Sequence, residues 1–484
     1  MSKLPPSWAE IQLGEAVDYG KTSKVKPAEI PNDGWLLELE DIEKDTSKLL
    51  VRIAFGERRS KSTKNRFSTG DVLYGKLRPY LNKVLLADRD GFCTTEIVPL
   101  KANSAVDGGY LFHWIRHPRF LDYVTNVSHG LNMPRLGSDA GRQAPFIIAP
   151  MAEQKRIADK LDILRAKVDS CRERLDRIPQ ILKKFREAVL EAAVSGRLTE
   201  EWRSSQSSIG TGQAVVLAIA DARRRLGLKS GERRLDDEGI EIPENPLPES
   251  WVWCRVGQIA DVRLGGTPSR AEESYWNGPT PWVSSGEVSN GRIERTRETI
   301  SNDGVTNSNA KVYPAGSVLI AMIGEGKTRG QSAILDIAAS TNQNVAGLVF
   351  DGGEISSEYV WIWALGQYER TRSIGRGGNQ PALNGAKVRA LPIPVPPRFE
   401  QDEVVSRVQA LLTLADSLQR GYAEALRRIE KVTLSVLTKA FRGELVPQDP
   451  NDEPAGEMLE RMRCAGSTNG APPTKIRAAS GKRR

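Results

Sequence analysis

The fold is decided by Ile157-Ala-Asp-Lys-Leu161-Asp-Ile-Leu164-Arg-Ala-Lys-Val168-Asp-Ser-Cys171-Arg-Glu-Arg-Leu175, whose apolar series continues as Ile178, Leu182, Phe185, Val189 and Ala192. These positions step by four and three without a break. A 3.5-residue repeat sustained this long specifies a long helix with a narrow apolar seam. A helix lying on its own globular domain would carry a broader stripe of period 3.6. Adding 247 to each number gives Val404, Val408, Leu411, Ala415, Leu418, Tyr422, Ala425, Ile429, Val432, Val436 and Lys439, and only the last is charged. The pattern predicts two long helices, over 151–198 and 398–445, that pair as an antiparallel coiled coil. From Glu153 to Ser195 such a helix is about 64 Å long. Pro179 predicts a slight kink in the first helix, since it removes one ladder bond. Gly196 and Gly443 supply matching C-terminal caps.

Outward from the helices, the rest of the chain also occurs twice. Leu4-Pro-Pro-Ser-Trp8 returns as Leu247-Pro-Glu-Ser-Trp251, and Thr69-Gly-Asp-Val-Leu73 as Ala315-Gly-Ser-Val-Leu319. Pro134-Arg-Leu136 aligns with Pro381-Ala-Leu383, Pro145 to Pro150 with Pro392 to Pro397, and Glu153-Gln154 with Glu400-Gln401. Self-similarity at this spacing means a duplicated unit. Residues 1–150 and 247–397 mix short apolar runs, glycine turns and prolines. Val72-Leu-Tyr74, Val84 to Ala87, Val318 to Ile323 and Ala333 to Leu335 read as strands, and Tyr110 to Ile115 and Tyr359 to Leu365 as short helices. The expected fold class is therefore α+β: two similar globular domains separated by the helix pair, with an internal pseudo-two-fold. Residues 199–246 form a polar linker with a helix from Gln213 to Arg225. After the second long helix, 446–484 carry a short helix from Ala455 to Arg463 and a basic, disordered tail.

The whole is 484 residues with 39% hydrophobic and 27% charged side chains, enough for two or more folded domains. Lys plus Arg number 69 against 61 acidic residues, a formal charge of +8 that favours a polyanionic partner. The longest purely apolar run, Val318 to Ile323, is far short of a membrane span, and the start lacks the apolar core of a secretory signal. A cytoplasmic protein is expected. Cys93, Cys171, Cys254 and Cys464 are scattered and build neither a disulfide framework nor a zinc ribbon. His113, His117 and His129 match no metal-helix spacing, so structural roles and no metal site are expected.

Two loop pairs carry candidate chemistry. After the Val72 strand comes Gly75-Lys-Leu-Arg-Pro-Tyr-Leu-Asn-Lys83; after the Val318 strand comes Gly324-Glu-Gly-Lys-Thr-Arg-Gly-Gln331. Each combines a Lys with an Arg two residues on, able to neutralise phosphates or to fork onto guanine. The candidates are Lys76, Arg78, Tyr80 and Lys83 in one copy and Lys327, Thr328, Arg329 and Gln331 in the other. Just before the helices lie Gly130-Leu-Asn-Met-Pro-Arg135 and Arg376 to Asn384. There Asn132, Arg135, Asn379, Gln380 and Asn384 offer adenine-type amides and a further cation, although turns also need Asn and Gly for backbone reasons.

Enzyme-like strings are weaker. Ala321-Met-Ile-Gly-Glu-Gly-Lys-Thr328 ends like a phosphate-binding loop, but Ala321 replaces the first glycine and a strand, not a helix, is expected to follow. Asp303 with Glu325-Gly-Lys327 has loose nuclease spacing, yet the first copy has no matching Glu. A stand-alone nuclease or nucleotide-binding enzyme is the alternative reading, and a coiled-coil scaffold without a DNA role a third.

As an ordered series the repeated strings resemble the specificity subunits of type I restriction–modification systems. Those carrying the likeness are Leu-Pro-x-Ser-Trp at each domain start, Thr69 to Tyr80, Gly265-Gly-Thr-Pro-Ser269 and Tyr275-Trp-Asn-Gly278. Pro281-Trp-Val283, Thr341-Asn-Gln343, Pro396 to Gln401, Phe185 to Leu190, Ser195 to Leu198 and Phe441 to Leu445 complete it. The first copy departs modestly, with Ala149-Pro150-Met151 where the second has Pro396-Pro397-Arg398. The resemblance implies two target-recognition domains (1–150 and 247–397), each reading half of a split double-stranded DNA target, with the helices fixing the unread spacer. It also implies two modification subunits that use S-adenosylmethionine to methylate adenine, and restriction subunits that use ATP and Mg to translocate and cut. This chain is then non-catalytic, binds no cofactor itself, and has no membrane partner.

Overall fold

The computed structural model describes residues 4–130, 132–226, 240–324, 326–351, 353–374 and 383–467. It mixes helix and sheet, and divides into two compact units: residues 1–176 with 423–484, and 177–422. Each unit holds one head and one half of each long helix. The sequence segments meet at 150 and 397, but packing does not stop there, because the helix halves enter the head cores.

In the first unit, Val72–Gly75 is the middle strand of three, between Val84–Leu86 and Ile97–Leu100. All four of its residues are buried, as expected of a strand covered on both faces. A second sheet runs Ser23–Val25, Lys64–Phe67, Gly91–Cys93, Leu36–Leu37. Ala9–Gln12 pairs antiparallel with Pro145–Ile148, which brings the two ends of the head together. Helix Gly108–Ile115 starts where the Asp107 side chain accepts from the Tyr110 amide at 2.9 Å, and packs on the first long helix. Its Tyr110 and Trp114 share a core with Ile157 and Leu161 of that helix and with Leu437, Ala440 and Phe441 of the second.

The second unit carries a larger sheet. Its five strands run Asp261–Leu264, Val345–Val349, Val318–Ala321, Ser332–Leu335, Gly291–Ile293, and a four-stranded sheet is built around Trp276–Val283. Val252–Arg255 pairs with Pro392–Val395. Helix Ser357–Gly366 packs on Ile178–Val194, and Val189 and Ala193 share its core with Val404 and Val408.

The second long helix is unbroken from Arg398 to Ala440. The first is not: it runs Met151–Leu175 and Ile178–Val194, with Asp176 and Arg177 between. The break falls where Pro179, with no N–H, leaves the Leu175 carbonyl without its helical donor. The backbone at both intervening residues stays near helical values, so the interruption is short. Burial of the seam is also uneven. Ile157, Leu161, Val404 and Val408 are buried, whereas Leu418 is 53% and Val432 51% exposed. Within the first unit Ile157 shares a core with Leu437 and Ala440, and within the second Arg186 bonds Asp416 at 2.6 Å. Among the described residues no helix is long and apolar enough to cross a membrane.

Candidate nucleic-acid interface

Each head is fastened to its long helix by the same set of bonds. Trp8 Nε1 donates to Glu153 Oε2, and Trp251 Nε1 to Glu400 Oε2, both at 2.9 Å. Gln154 Nε2 donates to the Ala149 carbonyl and Gln401 Nε2 to the Pro396 carbonyl, at 2.8 and 3.0 Å. Tyr110 and Tyr359 hydroxyls donate to the carbonyls of Ile147 and Pro394. The third partners differ: Glu153 also accepts from Gln448, whereas Glu400 accepts from Thr199 and the Arg203 guanidinium. Burial accordingly pushes the Glu153 carboxyl above its ordinary range, against the pull of Trp8 and Gln448. At the helix ends, Gly196 and Gly443 have φ of +78° and +75°, and a Cβ there would lie 2.5 and 2.4 Å from Pro248 and Pro5. Only glycine fits both the backbone and the approach.

These fastenings place the basic loops equivalently. The Lys76 amide donates to the Glu96 carbonyl, and its own carbonyl accepts from Leu136, both at 3.0 Å. In the second unit Met322 donates to Asn344 at 2.8 Å and accepts from Leu383 at 3.2 Å. In the first head the loop after the strand and the loop before the long helix therefore meet, and in the second head Leu383 makes the corresponding bond to Met322.

In the first head, Leu77 and Arg135 form a bridge, the Arg78 amide donates to the Pro134 carbonyl at 2.7 Å, and Arg78 Nη2 reaches the Asn132 carbonyl at 3.5 Å. Lys76, Arg78, Asn132 and Arg135 are thus brought together, with Tyr80 47% exposed beside them. Arg135 pairs with Glu96 at 3.0 Å. Lys83 is drawn away: its Nζ donates to the Leu39 carbonyl at 2.7 Å.

In the second head Lys327 is exposed and Thr328 half-buried. Arg329 is buried and donates to the Arg372 carbonyl at 3.1 Å, while Arg372 donates back to the carbonyls of Gly326 and Arg329. Gln331 is half-buried where the chain turns into strand Ser332–Leu335. A strand, not a helix, therefore follows Gly324 to Gly330. The Asn384 side chain caps helix Gly385–Ala390 through the Lys387 amide at 2.8 Å. Asn379, Gln380, Glu325 and the basic tail lie outside the described residues. No linear pattern points to Arg372 and Tyr368, which hold the second loop from a helix about forty residues away.

The histidines have local work. His113 bonds Asp162 at 3.0 Å in the core, and His117 stacks on Trp114 with centroids 5.0 Å apart. Burial, then Arg119 and Arg442, push His117 down to about 4, so it is neutral at neutral pH. Among the described residues no group of three His, Cys, Asp or Glu could hold a metal.

A family model described as the type I restriction modification DNA specificity domain matches residues 248–427. The chain is 25% identical over 490 residues to the type I restriction enzyme EcoDI specificity subunit of Escherichia coli, covering 97% of each. It is 29% identical over 398 residues to the StySPI specificity subunit of Salmonella potsdam, covering 78% of this chain and 76% of that one. Two solved structures share the fold at 20% identity. One, from work on complex assembly and conformational transition of the type I R-M system, superposes with a TM-score of 0.64 over 92% of this chain and 100% of the other. The second, the HsdS subunit from Thermoanaerobacter tengcongensis, gives 0.56 over 92% and 98%.

Proposed function

We infer that this chain, a specificity subunit of the type I restriction–modification family, is the DNA sequence-recognition component of such a complex and is not itself catalytic. We propose further that residues 1–150 and 247–397 are target-recognition domains, each reading one half of a bipartite double-stranded target. The observation that supports this is the recurrence of the basic loop on the same strand, in the same hydrogen-bonded setting, in both units. Lys76 and Arg78 in the first head and Lys327 in the second supply the cations that meet phosphates or guanine edges. Arg329 and Asn384 shape the second surface from within, as Lys83 does the first. Tyr80, Asn132, Arg135, Thr328, Gln331, Asn379 and Gln380 complete the proposed contact set. Two modification subunits bringing S-adenosylmethionine, and restriction subunits using ATP and Mg, supply the chemistry, in the cytoplasm. A flipped adenine is accommodated in the modification subunit's pocket.

Sequencing methylated sites in host DNA with and without the gene identifies the target. With that duplex and the assembled complex, Lys76→Ala, Arg78→Ala and Lys327→Ala should each weaken binding by about 1–3 kcal/mol where a base contact is lost. A change at a phosphate contact should instead act across all sequences and flatten the salt dependence. Normal binding by all three variants would reduce these loops to ordinary surface. Cleavage of DNA by the isolated chain with Mg and ATP would favour the enzyme reading instead.

The long helices, in this proposal, set how much DNA stays unread. Adding four residues, about one turn or 6 Å, to each should lengthen the spacer by about one to two base pairs and leave both half-sites unchanged. Sites methylated by the lengthened protein give the answer, and an unaltered spacer would sink the ruler idea.

A further inference from the structure

We propose that Arg165, assisted by Arg116, is a positioning residue for DNA reading by the first head, holding a strained turn that supports the reading loop. The proposal rests on the DNA role given to that loop. The turn is Glu43 to Lys48, closed by the Glu43 amide on the Lys48 carbonyl at 2.9 Å. Asp45 and Ser47 within it have φ of +62° and +59°. Arg78 and Asn82, which flank the short helical turn Pro79–Leu81, have φ of +50° and +47°. Four of the seven non-glycine residues with positive φ among the described residues therefore lie in two touching turns. Such conformations persist only where the surroundings over-determine them, and they gather at working sites.

The surroundings are specific. Arg165, on the first long helix, directs Nη2 at the carbonyls of Thr46 and Ser47, at 3.3 and 3.2 Å. Arg116, at the end of helix Gly108–Ile115, directs Nη2 at the Asp45 carbonyl at 3.2 Å. Both guanidiniums lie over the Phe112 ring, at 5.0 and 5.2 Å. The Asp45 amide then donates to the Leu81 carbonyl at 3.2 Å, inside the loop that carries Arg78. A chain of bonds thus leads from the long helix through residues 45–47 to the loop. Its upkeep is expensive: burial, then Arg165, lower Arg116 to about 10, and no carboxylate lies within ion-pair distance of that guanidinium among the described residues. The guanidinium is half-buried, with Asp45, Asp162 and Asp169 acting on it from beyond ion-pair distance and the Asp45 carbonyl as its hydrogen-bond partner. Equivalent positions in the second copy are Leu365 and Leu412, so the device belongs to one head.

The test uses the full chain with its modification subunits and duplexes substituted at each base of both half-sites. Arg165→Ala should bind the target about tenfold more weakly and lose discrimination in the first head's half-site only. Arg165→Lys, which can reach one carbonyl, should recover part of it. Undiminished discrimination, or equal loss in both half-sites, overturns the proposal. Hydrogen exchange on the DNA-free chain reads the coupling independently: Arg165→Ala should speed exchange both at 43–48 and at 78–82. Acceleration confined to 43–48 overturns the relay whatever the DNA result. Acceleration at both, with Lys76→Ala and Arg78→Ala binding normally, would uphold the relay and reject the loop's DNA role.

Discussion

Glu400→Ala should lower the stability of the second unit by about 3–5 kcal/mol, the largest single-residue loss expected in this chain. Glu400 is fully buried and accepts from Trp251, Thr199 and Arg203. Removing the carboxylate strands an indole N–H, a buried hydroxyl and a guanidinium whose side chain is 17% exposed. Breaking one side of such a set costs far more than the net worth of the pair, because the partner charge stays buried. Glu153→Ala should cost less: its donors Trp8 and Gln448 are neutral, and its carboxyl is already pushed upward by burial. Adding Arg203→Met to Glu400→Ala should restore part of the loss by removing the stranded cation. Denaturant unfolding of the four proteins measures this. Equal losses at Glu153 and Glu400, or no recovery in the double variant, would refute the charge argument.

The same lock explains what could be read from the sequence. The most visible repeated strings are Leu-Pro-x-Ser-Trp and Glu-Gln, with Trp8 and Glu153 145 residues apart and Trp251 and Glu400 149. Their recurrence was plain, but nothing in a linear pattern says that Trp8 and Glu153 are donor and acceptor of one bond. Likewise Gly443 and Pro5 recurred as Gly196 and Pro248, and only the packing shows that each proline presses on its glycine. Periodicity revealed the long helices because a seam is a local property of one helix. It overstated their common burial, because Leu418 and Val432 depend on what lies across from them. The loops were legible as basic turns after buried strands. Which cations face outward was not: Lys83 and Arg329 are claimed by carbonyls at Leu39 and Arg372, contacts that residue type cannot announce. The left-handed turn at Asp45 and Ser47 had no signal either, since neither residue is a glycine.

If residues 1–150 read one half-site, as proposed, exchanging the first head for one of different sequence should abolish methylation of the original target, create a new one, and leave one half-site intact. Each mismatched base pair costs about 1–3 kcal/mol, so a wholly altered half-site of several pairs lowers affinity by a thousandfold or more. The independence proposed for the heads rests on where the head is fastened. Trp8, Gln154 and Tyr110 bond it to the first long helix and to its own closing strand, while the loop proposed to read DNA follows strand Val72–Gly75. A donor head can thus change loop chemistry while keeping Trp8, Asp107, Tyr110 and Trp114, which meet Glu153, Gln154 and Phe441. The clamp adds a condition that simple modularity lacks. Arg165 stays with the recipient helix while Arg116 and the 43–48 turn travel with the head. A donor without a turn that Arg165 can hold should give a complex that assembles but discriminates poorly in the new half-site. Donors that retain such a turn should discriminate sharply. Methylation maps for the two kinds of chimaera separate the cases, and a shift in the second half-site of either would show that the heads do not read independently.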